Sequence, residues 1–264
     1  MSIIYRIATD KDIDQLVELF SSDGNPHNWS HKKFHHYYSE YPEGIPISVV
    51  ADDSGKIVGH FGIFPGQVGS FTVMTSHAAY VNVKYRNTKV IAGILKKIDQ
   101  ICIDLKKDFI WAPANLRFTP VLAAYFNWKT IGYVSFVNVK QYEIEKYTNR
   151  YQFSYSDKWY QWKFGEKRDI YLQDYKKDNT TYHQLLKTAN TNTVIARDHG
   201  LPHLNCWVPT EYSKEKSNGW IQPISIKIIN SDIPKDVLDI NNWFLEMGDS
   251  DAFEWRKIPY LCQE

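Results

Sequence analysis

Lys84, Arg86 and Lys89 stand between an apolar run, Ala78-Ala79-Tyr80-Val81-Asn82-Val83, and a stretch whose apolar residues recur at Ile91, Ile94, Leu95, Ile98 and Ile101. The run has the β-branched and aromatic content of a strand, and the stretch has the spacing of a buried helix face. A helix start offers free backbone N–H groups and the positive end of the helix dipole, so it attracts phosphate oxygens. The three cations add full charges at that mouth. A strand, turn and helix of this kind suit the holding of a phosphorylated cofactor.

Histidine titrates near neutrality and suits proton transfer. His60 follows Gly59 in one predicted strand and His77 precedes the basic strand, so both are candidate bases. A strand histidine is nonetheless more often a structural hydrogen-bonding residue. His27, His31, His35 and His36 form a second group, with His31 and His35 one helical turn apart. Zinc takes about three or four ligands, and only Glu40 or Glu43 is near enough to complete a set. Beside Trp29, Phe34, Tyr37 and Tyr38, these histidines read as lining an acceptor cleft or facing solvent, and no metal is expected. Asp249 and Asp251 would share a strand face, able to hold an ammonium or a sugar hydroxyl, or simply to end a strand in solvent.

The elements that must position these residues follow in a clear order. Residues 4–8 form a short strand, and Thr9 or Asp10 caps a helix carrying Ile13, Leu16, Val17, Leu19 and Phe20. Residues 47–51 and 56–63 form two strands joined by the tight turn Asp52-Asp53-Ser54-Gly55. The basic strand and its helix come next, then a strand at 109–112, a helix over 118–126 opened by Pro113-Ala114-Asn115, and a strand at 130–139. Beyond Gln141 the pattern changes. Residues 142–155 read as a linker, 158–163 as a short helix capped by Ser156 or Asp157, and 170–175, 194–197, 204–208 and 224–229 as strands. A short turn or helix follows at 236–240.

The 264 residues, 43% of them hydrophobic, supply a substantial core or two small domains. A formal net charge of +1 argues against a dominant nucleic-acid-binding field. Cys102, Cys206 and Cys262 are scattered, odd in number and without metal-ligand spacing, which suits a reducing cytoplasm. No signal peptide and no membrane span of about 18 apolar residues is expected. The 9 Trp, 18 Tyr and 13 Phe suggest either an aromatic ligand cleft, suited to sugars, or compositional habit.

The stretch from Val81 to Ile91 resembles the acyl-CoA-binding segment of the GNAT acetyltransferases. There a strand Val-x-Pro-x-Tyr-Arg runs into Arg/Gln-x-x-Gly-x-Gly/Ala and a long helix. Val81, Tyr85 and Arg86 match; Val83 stands where Pro is usual, Lys89 where the first Gly is usual and Ile91 where Gly or Ala is usual. The order of elements over residues 4–140 is also that of the family, with Asn127-Trp128 where Gly-Phe is usual. Val58-Gly59-His60, Pro113-Ala114-Asn115 and Trp128 look most like a subgroup found among bacterial surface-polysaccharide genes, which often carries a second, degenerate GNAT-like half.

The resemblance implies an α/β chain with a mixed central sheet flanked by helices. Residues 1–140 would form the GNAT acyltransferase domain, and 141–264 a degenerate GNAT-like or α+β half that shapes the acceptor site. It implies acetyl-CoA as acyl donor. Val81, Asn82 and Val83 would lie along the pantetheine, Arg86, Asn87, Thr88, Lys89, Val90 and Ile91 at the pyrophosphate, and Asn115 on the cofactor arm or serving as a helix N-cap. The leaving thiolate's acid is often a Tyr four residues before Gly-Phe; that position here is Ala123. Tyr125 is the nearest candidate, roughly 200° further round a helix. The acceptor would be a small-molecule amine, namely an amino group on a nucleotide-linked sugar. The alternatives are a relative that has lost CoA binding, motivated by Lys89 and Ile91, and an aminoacyl transferase of the same fold, against which near-neutral charge counts.

Overall fold

The computed structural model describes residues 3–22, 29–86, 88–140, 151–164, 170–177, 180–187, 191–194, 203–209, 221–243 and 245–246. The chain forms two compact units. The first comprises Met1–Ala112, Pro120–Lys129 and Ile226–Ile233, and the second Pro113–Thr119, Thr130–Ser225 and Pro234–Glu264. In chain order the elements are β1 (Ile4–Ile7), α1 (Ile13–Ser21), α2 (His31–Tyr38), β2 (Ile47–Asp53), β3 (Lys56–Val68), β4 (Phe71–Val81), α3 (Thr88–Asp104), β5 (Phe109–Pro113) and α4 (Thr119–Phe126). Then come β6 (Lys129–Lys140), α5 (Asp157–Phe164), β7 (Ile170–Lys177), β8 (Thr180–Lys187), β9 (Thr191–Val194), β10 (His203–Pro209), β11 (Ile221–Ile228) and β12 (Leu245–Glu246).

In the first unit the strands run β1-β2-β3-β4-β5, antiparallel except for the parallel β4–β5 pair. The next neighbour of β5 is not the next strand in sequence but residues 226–228 of β11. The amides of Ile229 and Asn230 both donate to the Asp108 carbonyl, at 3.0 and 2.9 Å. Lys227 Nζ donates to the Phe126 carbonyl at 2.7 Å, placing a cation on the C-terminal end of α4.

β3 is buried almost end to end because helices cover both of its faces. On one face the missing side chain of Gly59 would meet Ile94 of α3. On the other, His60 and Phe64 meet Phe20 of α1 and Tyr37 and Tyr38 of α2. Fully buried Leu16, Phe20, Ile63, Met74, Ile94, Ile98, Phe109 and Ile110 fill this core. Each such side chain contributes roughly 1.5–3 kcal/mol.

The first helix begins as expected but through a 3-10 turn, Asp10–Asp12, before α1 proper. The Thr9 amide donates to Asp12 Oδ2 at 2.7 Å. Asp12 is buried, and Arg6 on β1 grips it with two nitrogens at 2.7 and 2.8 Å while also holding Asp52 of β2 at 2.8 Å. The Arg6 hydrogen bonds hold the Asp12 carboxyl well below the usual carboxylate range, against burial, which raises it.

The second unit departs further from expectation. β6 pairs antiparallel with β10 and β10 with β12, and β7-β8-β9 form a separate antiparallel sheet. β8 is a strand not read from the sequence, and β9 starts three residues earlier than the expected strand at 194. α5 matches expectation, with the Trp159 amide donating to Ser156 Oγ at 3.2 Å. The region expected at 236–240 forms two 3-10 turns, Lys235–Leu238 and Ile240–Asn242. Within the expected linker, Tyr151 bridges to Trp243 and Phe153 is buried. Residues 142–150, Asn87, His27, His199, Asp249, Asp251 and Cys262 lie outside the described residues. Cys102 is buried in α3, and burial pushes its thiol up to about 12, so it is inert as expected. Among the described residues no helix is long and apolar enough to cross a membrane.

The Asp12 carboxyl titrates lower in the fold than in the unfolded chain. Its stabilisation is therefore complete above about pH 4 and is lost as pH falls below that. Asp12→Asn should cost about 2 kcal/mol at pH 7 by urea titration, less than the roughly 3–5 kcal/mol of a fully buried pair, because a third of Arg6 meets solvent. The gap between variant and native chain should narrow toward pH 3.

Candidate active site

The site grows from a mismatch between two strands. β4 and β5 pair only where residues 73–75 meet 109–111. β4 then continues to Val81 with β3 as its one registered neighbour, so residues 76–81 have an edge that β5 does not pair. Along β3 the register jumps. His60 faces Tyr80 and Gly62 faces His77, so β4 carries one extra residue there. This is a β-bulge, and Ala78 occupies it at φ 49°. A left-handed alanine costs on the order of 1–2 kcal/mol, so neighbouring groups must hold it.

His60 holds it. The ring is fully buried on β3, with Nδ1 2.8 Å from the Ala78 carbonyl oxygen and Nε2 3.1 Å from the Tyr38 hydroxyl. A carbonyl only accepts, so Nδ1 carries the proton and Nε2 accepts from Tyr38. Burial drives the His60 pKa down to about 3, outweighing the Ala78 hydrogen bond that raises it. A neutral ring committed at both nitrogens does not take a proton from an ammonium ion, so His60 is a structural histidine and not the expected base. Tyr38 reaches it across Gly62, where a Cβ would fall 2.1 Å from the Tyr38 hydroxyl.

The edge then leads into the basic turn. The Asn82 amide donates to the Val58 carbonyl at 3.0 Å, so alternation turns the Val81 amide toward the edge that β5 leaves unpaired. The Val81 carbonyl accepts from Arg86 Nε at 2.9 Å, and the Arg86 guanidinium lies 5.4 Å from the Tyr80 ring. Arg86 thus folds back along the strand. Val83–Tyr85 form a 3-10 turn capped by Asn82 Oδ1, which accepts from the Lys84 amide at 3.0 Å. The Tyr85 hydroxyl ties that turn to Asp53 at 2.8 Å. α3 starts at Thr88 with Lys89 exposed, Val90 buried and Ile91 half-buried. The Lys89 carbonyl accepts from the Tyr5 hydroxyl at 3.2 Å, and the Tyr5 ring packs where a side chain at Gly93 would stand. The first turn of α3 is therefore anchored to β1, with exposed cations at Lys84, Arg86 and Lys89.

The other expected residues are scattered. His77 is buried among rings, 4.4 Å from Tyr37, 4.7 Å from Phe64 and 5.7 Å from Trp29 between centroids, which is a packing position. Tyr125 is 69% exposed on α4. Asn115 Oδ1 accepts from the amides of Arg117 and Phe118 at 3.1 and 2.8 Å, so its side chain serves the turn before α4. His31 meets Asp14 at 2.6 Å with both side chains exposed, whereas His36 meets Glu40 at 2.8 Å and packs against the Tyr37 ring at 5.7 Å. Trp29, Phe34 and Tyr37 are buried, so this part of the aromatic content is core packing and not an open cleft surface. Sequence reasoning missed Ala78 and Tyr38. The glycine at 62 was the available signal, since a strand glycine marks a close approach.

No protein-family model matches the chain, and no curated protein matches it. Solved structures do. One is a conserved protein of unknown function from Enterococcus faecalis V583, described as a probable N-acyltransferase. It superposes with a TM-score of 0.64 at 9% identity, over 87% of this chain and 73% of that one. Another is a GCN5-related N-acetyltransferase from Kribbella flavida, with a TM-score of 0.58 at 7% identity and the same coverage, 87% and 73%. This is the GNAT fold. The mixed sheet flanked by helices is the one expected from the element order. Asn127 sits at φ 55°, where the GNAT pattern has Gly, because asparagine tolerates that conformation better than most residues.

Because His60 is neutral in the fold but protonates near 6.5 when exposed, its burial withdraws stability as pH falls below about 6.5. The native urea midpoint should drop progressively from pH 6.5 toward pH 4. His60→Asn, which removes the ring, should flatten that dependence. An unchanged slope in the variant would show that another group drives the acid loss.

Proposed function

We propose that the chain is an N-acyltransferase that moves an acetyl group from acetyl-CoA to a primary amine of a small molecule. The observation that carries this reading is the edge of β4 beyond the bulge, which no described strand pairs and which runs directly into a basic turn and the N-terminus of α3. The residues fit the donor. The Val81 amide offers a hydrogen bond to an extended amide-bearing arm such as pantetheine. Lys84 and Lys89 are exposed beside a helix start that favours pyrophosphate, with Arg86 folded back along β4. Lys89 is exposed, so it adds charge at the mouth without filling it. The GNAT fold, shared with proteins described as N-acyltransferases and N-acetyltransferases, supports the same reading.

When bound, acetyl-CoA supplies an activated thioester. The chain's part is to hold the donor along β4 and to place the neutral amine against it, and such positioning supplies much of the rate. Neither His60 nor His77 is given a proton-transfer role, since both are buried. We assign protonation of the leaving thiolate to the exposed Tyr125 hydroxyl. For the acceptor we infer an amino group on a nucleotide-linked sugar, from the resemblance of Val58-Gly59-His60, Pro113-Ala114-Asn115 and Trp128 to the surface-polysaccharide subgroup. A second reading, a ligand-binding protein without CoA, draws on Lys89 and the half-buried Ile91 where the family has small residues.

Calorimetric titration with acetyl-CoA separates the two. Saturable one-site binding, weakened about tenfold or more by Lys89→Glu, is the expected result, with desulfo-CoA as control. Absence of binding at millimolar ligand would leave the second reading. Once an acceptor is found, Tyr125→Phe should lower kcat roughly 100-fold with little change in KM for the donor.

A further inference from the structure

Two features of the bulge are not explained by donor binding alone. The first is that it is secured from outside its own sheet. The Ala78 carbonyl is held by His60, and His60 is held by Tyr38 at the last turn of α2. The second is that α2 grips the next residue as well. His77, whose carbonyl would lie 2.9 Å from a Cβ at Gly62, packs at 4.4 Å against Tyr37. Consecutive residues of one helix thus reach consecutive residues of the bulge, one through a ring contact and one through a hydrogen-bonded histidine. The Tyr38 ring is fixed in turn by stacking on Phe34 at 4.4 Å and by Phe64 at 5.2 Å.

We propose that His60 and Tyr38 are positioning residues that set the donor-binding edge of β4 through the Ala78 carbonyl. This rests on the acyltransferase reading for its functional consequence. The physical argument is one of register. A bulge residue has a choice of conformations, and only one turns the Ala78 carbonyl toward β3 and the following odd-numbered amides toward the unpaired edge. His60 Nδ1–H rewards that conformation, because the half-buried Ala78 carbonyl would otherwise lack this donor. The Tyr38 hydroxyl selects the required tautomer by donating to Nε2, which leaves Nδ1 as the protonated nitrogen. Gly62 keeps the path between Tyr38 and His60 clear. Because α2 carries Tyr38, the helix and the donor edge hold their positions together.

The two nitrogens of His60 can be separated by substitution. An Asn amide reaches roughly where Nδ1 stands and a Gln amide roughly where Nε2 stands. His60→Asn keeps the bond to Ala78 and loses Tyr38; His60→Gln does the reverse. Both remove a buried ring, so their thermal midpoints should fall similarly. Acetyl-CoA affinity by calorimetry and amide hydrogen exchange across residues 76–82 are read on the full chain. His60→Gln should weaken acetyl-CoA at least tenfold and speed exchange at Tyr80 and Asn82, whose amides face β3, at least tenfold. His60→Asn should stay within about threefold of the native chain in both. Equal losses in the two variants, tracking only their stability, would overturn the proposal, as would native binding in His60→Gln. If the native chain itself fails to bind acetyl-CoA, the acyltransferase reading falls. The exchange data then decide the clamp alone: faster exchange confined to His60→Gln supports it, and equal exchange overturns it.

Discussion

The structure turns on one carbonyl. Ala78 sits in a conformation that costs an alanine on the order of 1–2 kcal/mol. A neutral hydrogen bond contributes roughly 0.5–1.5 kcal/mol, but a buried carbonyl left without a partner costs about 1–3 kcal/mol. The strain is therefore balanced less by the worth of the His60 bond than by the cost of losing it. Once Ala78 is fixed, the phase of β4 changes, Asn82 returns to pairing with Val58, and the turn into α3 follows. Moving Ala78 to an ordinary strand conformation would shift every later residue of β4 to the opposite face.

The two faces of β3 divide the work. The side toward α3 is apolar: Ile57, Phe61 and Ile63 lie on it, and Ile94 closes over Gly59. The side toward α1 and α2 carries His60, Gly62 and Phe64, and meets rings and hydroxyls. Dispersion holds the first side, where any close-packed side chain of the right volume would serve. The second is specific, since a histidine between a hydroxyl and a carbonyl has fixed donor and acceptor atoms. The Arg6–Asp12–Asp52 cluster plays the same part at the β1 end, fixing where α1 begins against β2.

What could be read from the sequence was local. The basic turn and helix up to Asp104 announced themselves by period and charge, and the turn at Ser54 and Gly55 by residue type, whereas the strand expected over 78–83 is β4, which starts at Phe71 and ends at Val81. Asn127 stood where glycine would serve, and its positive φ bears that out. The site's interior was hidden for two reasons. Ala78 resembles any strand alanine, and a register jump exists only between strands. His60 looked like a proton carrier because its partners lie 18 and 22 residues away. Burial, which no short window reports, removed it from that role. The rich aromatic content invited a cleft, yet Trp29, Phe34 and Tyr37 went to the core. β8 escaped notice because its residues lack a clear apolar alternation.

The strand that flanks β5 in the first unit comes from residues 226–228, and the Asn230 side chain bonds to Asp108 across 122 positions. This has a consequence for how the chain is born. While a ribosome works through the intervening residues, on the order of ten seconds at about 5–20 residues per second, β5 waits with one edge uncovered. An uncovered edge of Phe109, Ile110, Trp111 and Ala112 is a template for pairing with another nascent chain. Closing so long a loop adds little to the entropic cost of the finished fold, because that cost grows only logarithmically with length. It slows assembly far more. The molecule therefore completes β4 early in synthesis and covers β5 late, so yield at high expression is governed by how soon residues 226–228 follow.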